Sequence, residues 1–216
     1  MVHPRTSEHD VPSAIVASAT RLFAAQGFEA TSVQAVADAV GVTKQAVLHH
    51  YPSKEHLRHA VLDAIVAHWN ETLPRLLLVA TASVDRFDAI FGELHRFFAT
   101  DADRARVVLR EVLDRPAEMR RLLCGPVQPW LEAVARYIRA GQESGTHFAD
   151  VDPEAYVVHV MLLGIAAAAC QTVTSAVLEG DARARYDAEL GRIARASLFS
   201  PRPPRAPARK SSPAKR

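Results

Sequence analysis

The chain has 216 residues, with 26 Lys and Arg against 24 Asp and Glu (net charge +2) and 49% hydrophobic residues. That length and apolar content can bury a sizeable core and exclude a wholly disordered chain. Two cysteines, Cys124 and Cys170, exclude a disulfide framework or a Cys-only zinc site, and only nine glycines speak against Gly-rich nucleotide folds.

The first ten residues, MVHPRTSEHD, hold no apolar signal-peptide core, which predicts a cytoplasmic protein. From Asp10 to Leu198 the apolar pattern is helical nearly throughout. Ile15, Ala19, Leu22 and Phe23 form one amphipathic face, and Gly27 supplies a left-handed stop. Thr31 and Gln34 have the spacing of a capping box, followed by the stripe Val33, Val36, Ala37 and Val40. After Gly41, Thr43 is an N-cap for a third short helix to about His50. Two helices of about eight residues joined by a tight Gly-containing turn predict a helix-turn-helix.

Pro52 ends the third helix and Ser53 caps a fourth, whose stripe Leu57, Val61, Leu62, Ile65 and Trp69 should kink or stop at Pro74. Further helices are marked by Phe87 to Phe98, by Val108, Val112 and Leu113 before Pro116, and by Trp130 to Ile138 before Gly145. Asp152-Pro153-Glu154 is a strong helix start. It leads into the uncharged stretch Tyr156–Leu178, which is long enough to cross a bilayer. Its His159, Gln171, Thr172, Thr174 and Ser175 and its Ala-rich centre favour a buried helix instead. A last helix runs from about Arg183 to Leu198. The prediction is an all-α protein of about nine helices.

In the second helix of this predicted helix-turn-helix, the N-terminal residues presented outward are Thr43, Lys44 and Gln45. Lys44 can donate to guanine O6 and N7, and Gln45 can pair with adenine in a bidentate manner. Thr31 and Ser32 can meet a phosphate through hydroxyls and helix-terminal amides. His49 and His50 flank the groove. Residues 1–60 balance five basic against five acidic side chains, so one such module binds DNA weakly unless it dimerises.

Residues 27–54 read GFEATSVQAVADAVGVTKQAVLHHYPSK, and from about Ile15 to Leu62 the chain resembles the DNA-binding domain of the TetR family of bacterial repressors. The resemblance implies that Gln34 and the phosphate-contacting Lys54 join the DNA-binding set, that His50 stands where the family often has His, and that Tyr51 replaces a Phe as core. Leu48 stands where the family usually has a phosphate-contacting Tyr. The resemblance further implies a C-terminal effector cavity, with Phe91, His95, Phe98, Arg110, Trp130, Tyr137, His159 and Met161 as candidate lining residues and a small apolar effector of unknown identity.

The organisation expected is a helix-turn-helix domain over 1–54, ordered from about residue 10, a helical regulatory and dimerisation domain over 55–199, and a disordered basic tail over 200–216. The tail has six basic and no acidic residues, which serves solubility or a non-specific phosphate contact. A homodimer is expected through about 154–178 and 183–198, with Gly164 and Ala166 to Ala169 permitting close approach of the partner. Its target would be double-stranded DNA with a pseudo-palindromic operator, without membrane attachment or cofactor.

Competing chemistry is thin. His56 and His59 are spaced to share a metal but lack a third ligand, and the two cysteines read as small buried residues. No nucleophile elbow or phosphate loop points to an enzyme. The function expected is sequence-specific DNA binding, as a repressor released by an apolar effector. The alternatives are a helical metal- or redox-responsive sensor, or a helical enzyme or carrier with a vestigial helix-turn-helix.

Overall fold

Gly27 and Gly41 have φ of +87° and +79°, the left-handed geometry that ends a helix without a Cβ clash. They close the first two elements of an all-helical chain. The computed structural model describes residues 11–82, 86–178 and 182–200. These form α1 (Val11–Gln26), α2 (Val33–Val40), α3 (Lys44–His50), α4 (Lys54–Ala82), α5 (Arg86–Ala99), α6 (Ala102–Asp114), α7 (Pro116–Glu143), α8 (Pro153–Ala169), α9 (Gln171–Val177) and α10 (Ala182–Ala196). The β geometry among the described residues is an isolated antiparallel bridge between His147 and Phe199. Of the tail expected as disordered over 200–216, Ser200 is described, its amide donating to the Thr146 carbonyl at 3.0 Å, and residues 201–216 lie outside the described residues.

The predicted stripes form one continuous core. Ile15, Ala19 and Phe23 of α1 are buried together with Val36 and Ala37 of α2, Val47 of α3, and Leu57 and Val61 of α4. The Val, Leu, Ile and Phe side chains among them each contribute roughly 1.5–3 kcal/mol when fully buried. A seven-residue helix is marginal by itself, so α3 holds its place through Val47, its one buried residue. Below this layer α1 rests on α4 and α6, while α4 to α8 pack around Trp69, Phe97, Phe98 and Trp130.

Three expectations change. Helix α4 continues through Pro74 to Ala82; Pro74 is exposed, so water can take the carbonyl it leaves unpaired. Leu113, read as a buried stripe residue, is 72% exposed. The stretch read as one helix over 156–178 is two, bent by 73° at Cys170, which raises the count to ten among the described residues. Arg106 of α6 holds that break open, its Nε donating to the Ala169 carbonyl at 3.0 Å and its Nη2 to Thr172 Oγ1 at 3.1 Å. The β-branched Thr172, Val173 and Thr174 lower the incentive to continue the helix. No single described helix is long and apolar enough to cross a membrane.

Candidate nucleic-acid interface

Thr43 caps α3, its hydroxyl accepting from the Ala46 amide at 3.1 Å. With Val47 turned into the core, Thr43, Lys44, Gln45, His49 and His50 are left exposed. The rings of His49 and His50 meet edge to face at 5.4 Å. Leu48 is half-buried. The exposed N-terminal turn of α3 therefore carries one cation and one amide, the two groups that pair in a bidentate way with guanine and adenine edges.

The start of α2 differs from the expected capping box. Ser32, not Thr31, is the N-cap, and its hydroxyl accepts from the Ala35 amide at 3.0 Å. Thr31 is 1% exposed, donates to the Gly27 carbonyl at 2.8 Å and accepts from Gln26 Nε2. Its hydroxyl is consumed in fastening the α1–α2 turn, so Thr31 offers no side-chain contact to a phosphate. Gln34 is exposed but bonds Asp38 Oδ1 at 2.7 Å rather than the cap. Ser32 remains exposed at the helix N-terminus, where amides favour an anion.

Lys54 has a structural attachment that the sequence did not disclose. Its Nζ donates to the carbonyls of Phe28 and Glu29 at 2.9 and 3.2 Å and stands 4.2 Å from the centre of the Phe28 ring. An ammonium has three donors, so one is left for a phosphate. Tyr51 is half-buried, as expected of a core residue; its hydroxyl donates to the Pro12 carbonyl at 3.4 Å, and burial raises its pKa.

Around Phe28 the helix-turn-helix meets the body of the molecule. The guanidinium of Arg115, at the α6–α7 turn, lies 4.7 Å from the same ring and bonds Glu29 at 3.1 Å. These partners are separated by 86 positions in the chain, and no local motif signals them.

The expected effector residues divide among several places. Phe91, Trp130 and Tyr137 line a cavity of about 30 Å³ between α5, α7 and α8. Phe98 and Met161 line a second, of about 60 Å³, beside Trp69. Three residues do not belong to these cavities. His95 lies on the α5–α10 contact, 3.4 Å from Asp187, beyond a stack of Phe87, Phe91 and His95 rings. His159 points outward from α8. Arg110 is exposed near Gly27, where a Cβ would meet its guanidinium at 3.2 Å. Helical periodicity gave their face only to within a neighbouring position, too coarse to separate inward from outward residues.

His56 is engaged with Ser53 at 2.8 Å and His59 with Arg58 at 3.2 Å. Among the described residues no group of three or more His, Cys, Asp and Glu is arranged to hold a metal. Both cysteines, read as buried, are exposed free thiols, because they fall on the outer sides of α7 and of the α8–α9 bend.

The fold and the exposed α3 define a helix-turn-helix protein of all-α class. Residues 15–61 match the model of the tetR family of bacterial regulatory proteins. The chain is 26% identical over 143 residues to the HTH-type transcriptional regulator EthR of Mycolicibacterium smegmatis, spanning 65% of each chain. It is 29% identical over 91 residues to the HTH-type transcriptional repressor KstR2 of the same organism, spanning 42% of this chain and 43% of that one. These spans are less than two thirds of either relative. Among solved structures, a tetR-family regulatory protein from Rhodococcus superposes with a TM-score of 0.68 at 24% identity, covering 91% of this chain and 100% of that one. KstR2 of Mycobacterium tuberculosis superposes with a TM-score of 0.67 at 16% identity, covering 93% and 100%. Residues 15–61 are therefore a helix-turn-helix segment of tetR-family type, within a chain that shares its fold with tetR-family regulators.

Proposed function

We propose that the protein is a sequence-specific DNA-binding transcriptional regulator, a repressor released by a small apolar effector. The observation that carries this reading is the exposed Lys44–Gln45 turn, fixed in place by the buried Val47. The repressor assignment draws on the likeness to KstR2, and the effector on the apolar cavities behind α4. A protein from Saccharomonospora viridis with a TM-score of 0.67 and 18% identity, covering 90% of this chain and 100% of that one, was solved in complex with choline, so this fold can hold a small molecule. No enzymatic role is proposed, and the working location is the cytoplasm.

In this reading residues 1–54 form the DNA-binding domain and 55–199 the regulatory and dimerisation domain. The DNA set is Ser32, Gln34, Thr43, Lys44, Gln45, His49, His50 and Lys54. The partners are a pseudo-palindromic operator and a second copy of the chain, since an almost neutral module needs two half-sites to select one location. The dimer face also changes from the one expected. Gly164, Ala167 and Ala168 are buried within the chain, whereas Val158, Leu162 and Leu163 of α8 and Ile193 of α10 are exposed and 41–46% accessible. These larger side chains are the ones available to a partner.

The test is genome-wide footprinting of the wild type and of Lys44→Ala and Gln45→Ala. Each variant should lose preference at one operator position, at a cost of about 1–3 kcal/mol. Uniform, sequence-independent losses in both would sink the recognition-helix assignment.

A further inference from the structure

Among the described residues two buried side-chain polar atoms are left over. The indole N–H groups of Trp69 and Trp130 are buried and have no hydrogen-bond partner. The two rings meet edge to face, with centroids 5.5 Å apart at 82°. Trp130 walls the cavity between α5, α7 and α8, and Trp69 walls the cavity beneath α4. An aromatic face is a weak acceptor for such a donor. Water is a poor one here, because a buried water needs several polar partners. Apart from the indole, the cavity at Trp69 is lined by aliphatic, Phe and Met side chains.

The cavities have a second property in common. Among the described residues no Lys, Arg, His, Asp or Glu stands on either wall. An ion placed there would lose its hydration with no countercharge to replace it. At about 30 and 60 Å³, each is also far smaller than the few hundred Å³ of an ordinary ligand pocket. A molecule of useful size must therefore join them, and the Trp69–Trp130 pair spans the two.

We propose that the effector is an uncharged, largely apolar molecule bearing a carbonyl oxygen, which parts the Trp69–Trp130 pair, joins the two cavities and accepts a hydrogen bond from at least one of the indole N–H groups. This rests on the reading of the chain as an effector-released regulator and adds the chemical class of the effector. Trp69 lies on α4, the helix whose N-terminal end carries Lys54 and Arg58 beside Phe28 of the helix-turn-helix module. Parting the pair thus acts on the element that joins cavity to DNA-binding module.

The chain has two Trp residues, so the ¹H–¹⁵N spectrum of the full-length protein holds two indole signals. The probes are benzophenone, diphenylmethane, which replaces its carbonyl by a methylene, and diphenylacetate, which carries a charge. Benzophenone should move one or both indole signals downfield and bind about three- to tenfold tighter than diphenylmethane, the worth of one hydrogen bond. Hydration of the carbonyl works against that order, so a preference for the ketone reports an acceptor being read. Replacing the responding residue, by Trp69→Phe or Trp130→Phe, should erase the preference while leaving diphenylmethane binding in place. Each variant is compared with itself across two probes, so a change in its stability does not mimic the result. Equal or weaker binding of the ketone, tightest binding of diphenylacetate, unmoved indole signals, or no binding by any probe would overturn the proposal. If benzophenone moves the indoles yet leaves the protein on its footprinted sites, the effector class stands and the release reading fails. If another compound releases DNA with both indole signals unmoved, release stands and the class fails.

Discussion

Arg58 Nη1 donates to Glu111 Oε2 at 2.6 Å, joining the start of α4 to the end of α6 across 53 positions, with both residues buried. The same guanidinium reaches Glu55 at 2.8 Å and Glu118 at 2.5 Å. Burial works against its charge, but the three carboxylates outweigh it and hold its pKa above the ordinary value. Glu111→Leu leaves a buried cation with fewer partners, and such breakages cost about 3 kcal/mol or more. Urea unfolding should show that loss, and Arg58→Met added to Glu111→Leu should recover most of it. An additive double variant would mean the pair is not energetically coupled.

The same cluster makes the junction sensitive to acid. The hydrogen bond from Arg58 holds the Glu118 carboxyl below its usual pKa. A carboxylate with a depressed folded-state pKa binds fewer protons in the folded protein than in the unfolded one. Its contribution is complete above the ordinary carboxylate range and disappears as pH falls through the depressed value. Melting temperature followed from pH 7 downward should fall less steeply below about pH 4.5 for Glu118→Gln than for the wild type. Parallel profiles would assign the acid response to other groups.

The α1–α2 turn separates two hydroxyls that the sequence treats alike. Thr31→Val should lower stability, because the Gly27 carbonyl loses its donor, yet leave the salt dependence of DNA binding unchanged. Ser32→Ala should cost about 1 kcal/mol of capping and weaken DNA binding at every sequence. A reversed pattern in thermal melts and salt titrations would return Thr31 to the interface.

Lys54 is expected to serve twice. Lys54→Ala removes two carbonyl contacts, at roughly 1.5 kcal/mol for a charged hydrogen bond. It should also reduce the slope of log K against log salt by about one unit. A stability loss with an unchanged slope would make the residue purely structural.

On α8, neighbouring substitutions should have different consequences. Leu163→Arg alters an exposed side chain and should give folded monomers by sedimentation, whereas Ala168→Arg places a charge in the chain's own core and should unfold it. Folded dimers of Leu163→Arg would move the interface elsewhere.

Gly141 shows a constraint outside any motif. A Cβ there would lie 1.9 Å from Nδ1 of His147, which is buried and bonded to the Ile138 carbonyl at 3.0 Å. Gly141→Ala should therefore cost about 1–3 kcal/mol of overpacking, and His147→Ala in the same chain should relieve part of the strain. A wild-type melting temperature for Gly141→Ala would show that His147 can leave without cost.

What depends on neighbours a few positions apart can be read from the sequence alone. The stripe Ile15–Ala19–Phe23, the stops at Gly27 and Gly41, the Thr43 cap and the start at Asp152-Pro153 are local, so 3.6-residue periodicity and backbone sterics suffice to read them. The exposed first turn of α3, with Lys44 and Gln45, was legible for the same reason. Long-range packing settles which of two adjacent hydroxyls faces outward, whether α8 runs on through Cys170, and whether His159 and Arg110 reach a cavity. Each depends on a partner far along the chain, as Arg106 does at the α8 terminus and Arg115 at Glu29. Periodicity gives a helix its apolar face, but the angle at which a second helix crosses it settles which border residues are enclosed. That angle is fixed by the packing of side chains dozens of positions apart.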